Sequence, residues 1–298
     1  MRARLKEFWI KGKRINLLKH KAAIRKQVEK TVGREIKYIS SFFPYDIKKF
    51  HNRSLLYFHS IFLMEDYQEN HEIKDIGPGQ RQSAKKVMNL IVGLELLSIG
   101  TSFHDFKSSG SFLIPDDRSA KIEKEYTLDL LFGDIFYSRA VIYLLRFEDH
   151  DVFDRILASL KELHKSRLML HRAVGDLLQA GSDPSSFDHN ADTKLLAGAN
   201  RLCGISLDIS FEIFGEKSGV EEKNKFSSLT EQIMVLKTYD ELIKYTLSIK
   251  TDLSTEKISS HLTSKKNFTD RKLSDIISEL NSGKFRSSTK ALLDSLDN

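Results

Sequence analysis

The residues best placed to do chemistry are the few ionisable side chains set inside long apolar stretches. They are Glu95, His104 and Asp105 at the end of the first stretch, Asp134 and Arg139 in the second, and Asp208, Glu212 and Glu216 in the third. Burying such groups costs free energy, so each needs a reason. A carboxylate pair at i, i+1 with a third at i+4 on a helix end would gather three oxygens around a magnesium–diphosphate cluster. Mg²⁺ suits such a site because it takes a few carboxylates and completes its shell with phosphate oxygens. His104-Asp105 begins that pattern, but Phe106 and Ser109 stand where further carboxylates would complete it. The plain alternative is that these side chains pair with one another or with backbone groups as polar contacts inside a helical bundle.

The elements that must position them are helices. Pro44, Pro78, Pro115 and Pro184 all fall in short polar or Gly-containing stretches between long apolar-periodic segments, as expected where proline punctuates helices. Helices are predicted near 2–31, 47–66, 83–104, 119–147, 150–180, 190–216 and 228–250, with shorter ones near 255–263, 270–281 and 287–296. Residues 87–103, 128–147 and 195–214 are apolar nearly all round, which places these three helices inside a bundle. Residues 150–180 are amphipathic, with Phe153, Ile156, Leu160, Leu163 and Leu170 inward and Asp154, Lys161, Glu162 and Lys165 outward, so that helix is peripheral. No Asn-Gly hairpin signal and no fixed repeat is present, and the expected fold is all-α. Three segments are expected: a basic N-terminal helical segment over 1–46, a helical bundle over 47–250, and a polar C-terminal tail of short helices over 251–298.

Composition narrows the function. Cys203, the only cysteine, lies in an apolar run, so disulfides and cysteine zinc sites within one chain are excluded and a reducing compartment fits. No uninterrupted apolar run of membrane-spanning length and no signal-peptide core is seen, and the expected location is cytoplasmic. Residues 1–53 hold 16 Lys/Arg against four acids, a net of +12, whereas the whole chain is +6 and the remainder therefore −6. Such a basic end suits anionic lipid, a transit peptide, nucleic acid or a plain solvated helix face. A solvated face is the ordinary reading, Trp9 with Phe8 and Leu5 keeps peripheral contact with a membrane open beside it, and the absence of zinc-finger, RNA-recognition and helix-turn-helix signatures argues against nucleic acid. His164 and His171 lack a metal-ligand spacing. Gly77-Pro78-Gly79-Gln80-Arg81 lacks the lysine of a phosphate loop and reads as a plain turn.

The segment E-L-L-S-I-G-T-S-F-H-D-F-K-S-S, Glu95 to Ser109, resembles the first aspartate-rich helix of the trans-prenyl diphosphate synthases. Glu95-Leu96-Leu97 matches its start and His104-Asp105 falls in register. Ser98 replaces a histidine, and Phe106 and Ser109 replace aspartates. Gly133-Asp134, with Ser138-Arg139, is similar to a later helix motif of that family. The third apolar helix can be laid on the second metal motif through Gly204, Leu207, Ile209, Phe211 and Ile213. There Glu212 takes a glutamine position, and Gly215, Glu216 and Gly219 take those of three aspartates. The family's paired diphosphate-binding arginines fall on Pro115 and Asp116, leaving Arg118 and Lys121 nearby. Its basic loop has at most a remnant, with Phe50 at the lysine and Arg53 at an arginine.

With D-R-I-L-A-S-L-K-E-L-H-K-S-R-L-M-L-H-R in the following helix, the pattern looks most like the non-catalytic subunits of two-component synthases: heptaprenyl diphosphate synthase component I and, more loosely, subunit 2 of decaprenyl diphosphate synthase. The resemblance covers about residues 50–216. It implies an isoprenoid-synthase-type bundle of roughly ten helices around a central cavity. It also implies a chain with no catalytic residues, no metal site and no cofactor of its own, bound to a catalytic polyprenyl diphosphate synthase homologue that holds the Mg²⁺. In this reading Arg53 and Arg118 are the candidate diphosphate contacts, and Phe103, Phe106 and Phe136 line what would be a diphosphate pocket in an enzyme. The rivals are an active synthase built on Asp105, Asp134 and Glu216, and a membrane- or scaffold-binding helical module.

Overall fold

The computed structural model describes residues 17–41, 56–67, 78–104, 119–180, 183–185, 187, 193–214, 220–249, 253–279, 289 and 292. Nine helices and no strand occur among them. In chain order they are α1 Leu17–Ser40, α2 Leu56–Tyr67, α3 Pro78–His104, α4 Ser119–Leu145, α5 His150–Ala180, α6 Thr193–Gly198, α7 Arg201–Phe214, α8 Val220–Ile249 and α9 Leu253–Glu279. α3 packs mainly against α4 and α1, α7 mainly against α2 and α5, and α8 forms an antiparallel pair with α9.

α3 starts earlier than the apolar pattern indicates because Pro78, at its first position, has no amide proton to leave unpaired there. α4 runs into a turn in which Glu148 adopts a left-handed backbone with φ 63°. Asp149 then caps α5, its Oδ1 accepting the Val152 N–H at 3.0 Å. By length and composition α3 could cross a bilayer over Ala84–His104, but most of that stretch is buried within the bundle, so its apolarity is that of a core helix.

α3 and α4 approach closely because two glycines lie on α3 seven residues apart. A Cβ at Gly93 would lie 2.6 Å from Leu144, and one at Gly100 would lie 2.6 Å from the Tyr137 ring and 3.1 Å from the Gly133 carbonyl. Gly100→Val should therefore cost about 1–3 kcal/mol by overpacking. A denaturant titration checks this, with Ser98→Ala on the same helix as a near-neutral control.

Several expectations need correction, the first being the helix predicted over 2–31, which runs on to Ser40 as α1. The single helix predicted over 190–216 is broken at Ala199-Asn200 into α6 and α7. There Arg167 donates to the Ala199 carbonyl at 2.8 Å and the Asn200 amide donates to Thr238 Oγ1 at 2.8 Å. The side chains thus take over backbone and polar partners that a continuous helix would have satisfied internally. The short helices predicted near 255–263 and 270–281 are one helix, α9, whose Ile258, Leu262 and Leu273 are buried. A polar composition hid this narrow apolar stripe.

Candidate functional site

The first singled-out side chain, Glu95, is buried in the middle of α3. Its Oε1 accepts the amide protons of Tyr57 at 2.8 Å and Phe58 at 3.3 Å. These are among the first amides of α2, which have no partner within the helix, so Glu95 acts as a capping carboxylate placed at the positive end of a helix dipole.

His104, at the last turn of α3, lies in the hollow left by Gly133, where a Cβ would collide with its ring. The imidazole stacks on Tyr137 with centroids 4.9 Å apart and planes 18° apart. Its Nε2 stands 3.4 Å from Asp134 Oδ1, at ion-pair distance but without hydrogen-bond geometry. Tyr137 Oη lies 2.8 Å from His164 Nε2 and 3.3 Å from Thr101 Oγ1. Gly133, Asp134 and His104 therefore meet, but as a seam between α3, α4 and α5. Below them Phe103 stacks on Phe132 and Phe136 with centroids 5.4 and 5.7 Å apart, and all three rings are buried.

Arg139 serves a different contact. Its guanidinium donates from Nε to Glu35 Oε2 at 2.7 Å and from Nη2 to Glu35 Oε1 at 2.9 Å, while Tyr143 Oη donates to Oε1 at 2.7 Å. Burial, the largest single influence, works to raise the Glu35 carboxyl. The hydrogen bonds from Arg139 and Tyr143, together with the charges of Arg139 and Arg34, outweigh it and hold the group below the usual carboxylate range. Ser138 is exposed and donates back to the Asp134 carbonyl at 2.9 Å.

On α7, Glu212 accepts from Arg155 at 2.8 Å, and Asp208 lies 3.4 Å from Arg201. Burial pushes the Asp208 carboxyl up, against the pull of the two arginines. These carboxylates face cations of α5 and α7. Asp105, Phe106, Ser109, Gly215, Glu216, Gly219, Arg53 and Arg118 lie outside the described residues. Among the described residues no three His, Cys, Asp or Glu side chains are grouped to hold a metal ion. Among the described residues, the groups around His104 are one carboxylate oxygen of Asp134 and the Tyr137 and His164 rings.

Sequence reasoning missed Glu35, Tyr143 and Arg155. Glu35 was legible as the one acid on the apolar face of α1, between Val32, Ile36 and Ile39. Tyr143 and Arg155 carried no signal separable from ordinary helix residues.

The arrangement of these helices is shared with solved structures. Octaprenyl pyrophosphate synthase from Helicobacter pylori superposes with a TM-score of 0.58 at 13% identity, covering 93% of this chain and 99% of that one. The fold is that of the prenyl diphosphate synthases. Heptaprenyl diphosphate synthase from Staphylococcus aureus gives 0.52 at 12% identity over 93% of this chain and 98% of its own. A decaprenyl diphosphate synthase from Rhodobacter capsulatus gives 0.53 at 10% identity over 100% and 98%. The sequence itself matches no family model and no curated protein. Among the described residues, Glu95 of α3 is engaged with backbone amides, Arg139 of α4 with Glu35 and Glu212 of α7 with Arg155.

Proposed function

We propose that this chain is a non-catalytic subunit of a heteromeric long-chain polyprenyl diphosphate synthase, required for the activity and product length of a catalytic homologue in isoprenoid side-chain synthesis. The observation that carries the reading is an apolar stripe left open on α4. Leu131, Ile142 and Leu145 lie on one face at heptad spacing, with the partly buried Ile135 and the exposed Ser138 between them, and Leu131 and Leu145 are 49% and 48% exposed. Leu157 and Leu168 on neighbouring α5 are also exposed. A helix that is apolar nearly all round yet open on one face is suited to burial against a partner.

The partner is a homologous bundle that keeps both carboxylate clusters and holds Mg²⁺. The metal clamp that would drive diphosphate departure is reduced in this sequence to Asp105 in one motif and Glu216 in the other. Packing against α4 would fix the wall of the partner's elongation tunnel and with it the chain length. The complex is expected in the cytoplasm or at its membrane surface.

Co-expression with a catalytic long-chain synthase, followed by size-exclusion chromatography and product analysis, tests the reading. A co-eluting pair whose product is longer than either component makes is expected. Neither association nor a change in product would refute it.

A further inference from the structure

We propose that the outward face of α1 is a docking surface for an anionic lipid bilayer. α1 buries Ile24, Val28, Val32, Ile36 and Ile39 against the bundle. On the opposite side Lys26, Lys30, Arg34 and Lys37 follow at i, i+4, i+8 and i+11, and all four are exposed. This spacing sets them in one row along the helix, about 16 Å long at 1.5 Å rise per residue. Of the two acids of α1, Glu29 is paired with Arg25 at 3.0 Å and Glu35 with Arg139 at 2.7 Å. Lys26, Lys30 and Lys37 have no carboxylate partner among the described residues. Arg34 reaches Tyr143 Oη at 3.3 Å and Glu35 at 3.7 Å, yet its side chain stays 70% exposed.

A solvated helix face in a folded protein ordinarily interleaves both signs. Here four positive charges stand together on one face of the helix, beside Tyr38, which is 56% exposed at the end of the row. Lysine ammonium groups are point charges suited to diffuse attraction by a charged plane, and an aromatic ring with a polar tip sits well at headgroup depth. A single row of cations, in a sequence without nucleic-acid signatures, suits a charged plane better than base or phosphate recognition in a groove. The same sign of charge continues in the sequence before α1, where residues 1–16 carry six Lys/Arg against Glu7. The surface does not depend on the subunit role proposed above, although a complex whose product is a long hydrocarbon chain would gain from lying on the membrane that receives it.

The test uses the full chain in a flotation assay with vesicles of phosphatidylcholine alone, or of phosphatidylcholine and phosphatidylglycerol in equal parts. Binding to the anionic vesicles only, weakened by added salt, is expected. Each cation removed should weaken partitioning about fivefold, so the triple variant Lys26→Gln, Lys30→Gln, Lys37→Gln should bind about a hundredfold more weakly. The variant with Lys161→Gln, Lys165→Gln and Lys223→Gln, which removes the same charge from α5 and α8, should bind as the unmodified chain does. Unfolding curves of both variants should overlay the parent, because all six side chains are exposed. Equal binding by the α1 variant and the parent, equal binding to both vesicle types, or binding to a duplex oligonucleotide but not to vesicles would each overturn the proposal.

Discussion

Arg139→Ala is expected to lower the unfolding free energy by about 3 kcal/mol, measured by denaturant titration. The reason is the partner it leaves behind. Glu35 is only 2% exposed, and without the guanidinium it retains the Tyr143 hydroxyl and the more distant Arg34. Removing one member of a buried pair strands a charge, whereas replacing both by apolar residues of similar size costs little. Glu35→Leu with Arg139→Met should therefore recover most of the loss. A loss under about 0.5 kcal/mol for Arg139→Ala, the range of ordinary surface changes, would show that the pair does not fasten α1 to α4.

The pair also sets a pH dependence. Glu35 titrates below its ordinary value of 4.5 in the fold, so the unfolded chain takes up its proton first as acid is added. Its contribution is thus complete above that ordinary value and is lost as pH falls through the lowered folded value. On acidification the parent should lose more stability than the Glu35→Leu, Arg139→Met variant.

Ile142→Glu with Leu145→Glu is expected to weaken association with the proposed catalytic partner at least about a hundredfold, since central apolar anchors of an interface commonly contribute 2 kcal/mol or more each. Both side chains are open to solvent in the single chain, at 38% and 48% exposure. The melting temperature of the isolated variant should therefore stay close to that of the parent, while the activity of the mixed complex falls with its assembly. Titration calorimetry for affinity and scanning calorimetry for stability separate the two effects. If the isolated variant melts far below the parent, α4 is buried within this chain and the stripe is not a docking face.

Much of the fold is legible in the residues themselves. The apolar periodicity locates most of the helices, and the amphipathic pattern of 150–180 orients α5 correctly, with Ile156, Leu163 and Leu170 buried and Asp154, Lys161 and Lys165 exposed. The pattern fails where two physical situations give the same composition. Residues 128–147 read as a helix enclosed on all sides, yet α4 leaves Leu131, Ile142 and Leu145 open, because apolar composition alone does not tell an enclosed face from an exposed one. At Asn200 the helix break depends on Arg167 and Thr238, 33 and 38 residues away, which no local pattern contains.

The candidate site shows the same limit. The ionisable residues in apolar helices were legible as a set, but their grouping was not. Glu95 points to the amides of α2, His104 to the hollow at Gly133, Arg139 to α1 and Glu212 to α5. Spacing along one helix gives the direction of a side chain, and only packing decides which helix faces it. The expectation that such residues pair with one another or with the backbone accounts for Glu95 and for the approach of His104 to Asp134, whereas Arg139 and Glu212 pair with Glu35 and Arg155, which lie outside the set.

The most direct measurement incubates the purified chain alone with isopentenyl diphosphate, an allylic diphosphate and Mg²⁺, in parallel with the chain plus its catalytic homologue. The account predicts no turnover by the chain alone and long-chain product from the pair. Steady product formation by the chain alone would contradict it and return Asp105, Asp134 and Glu216 to the role of a working metal site.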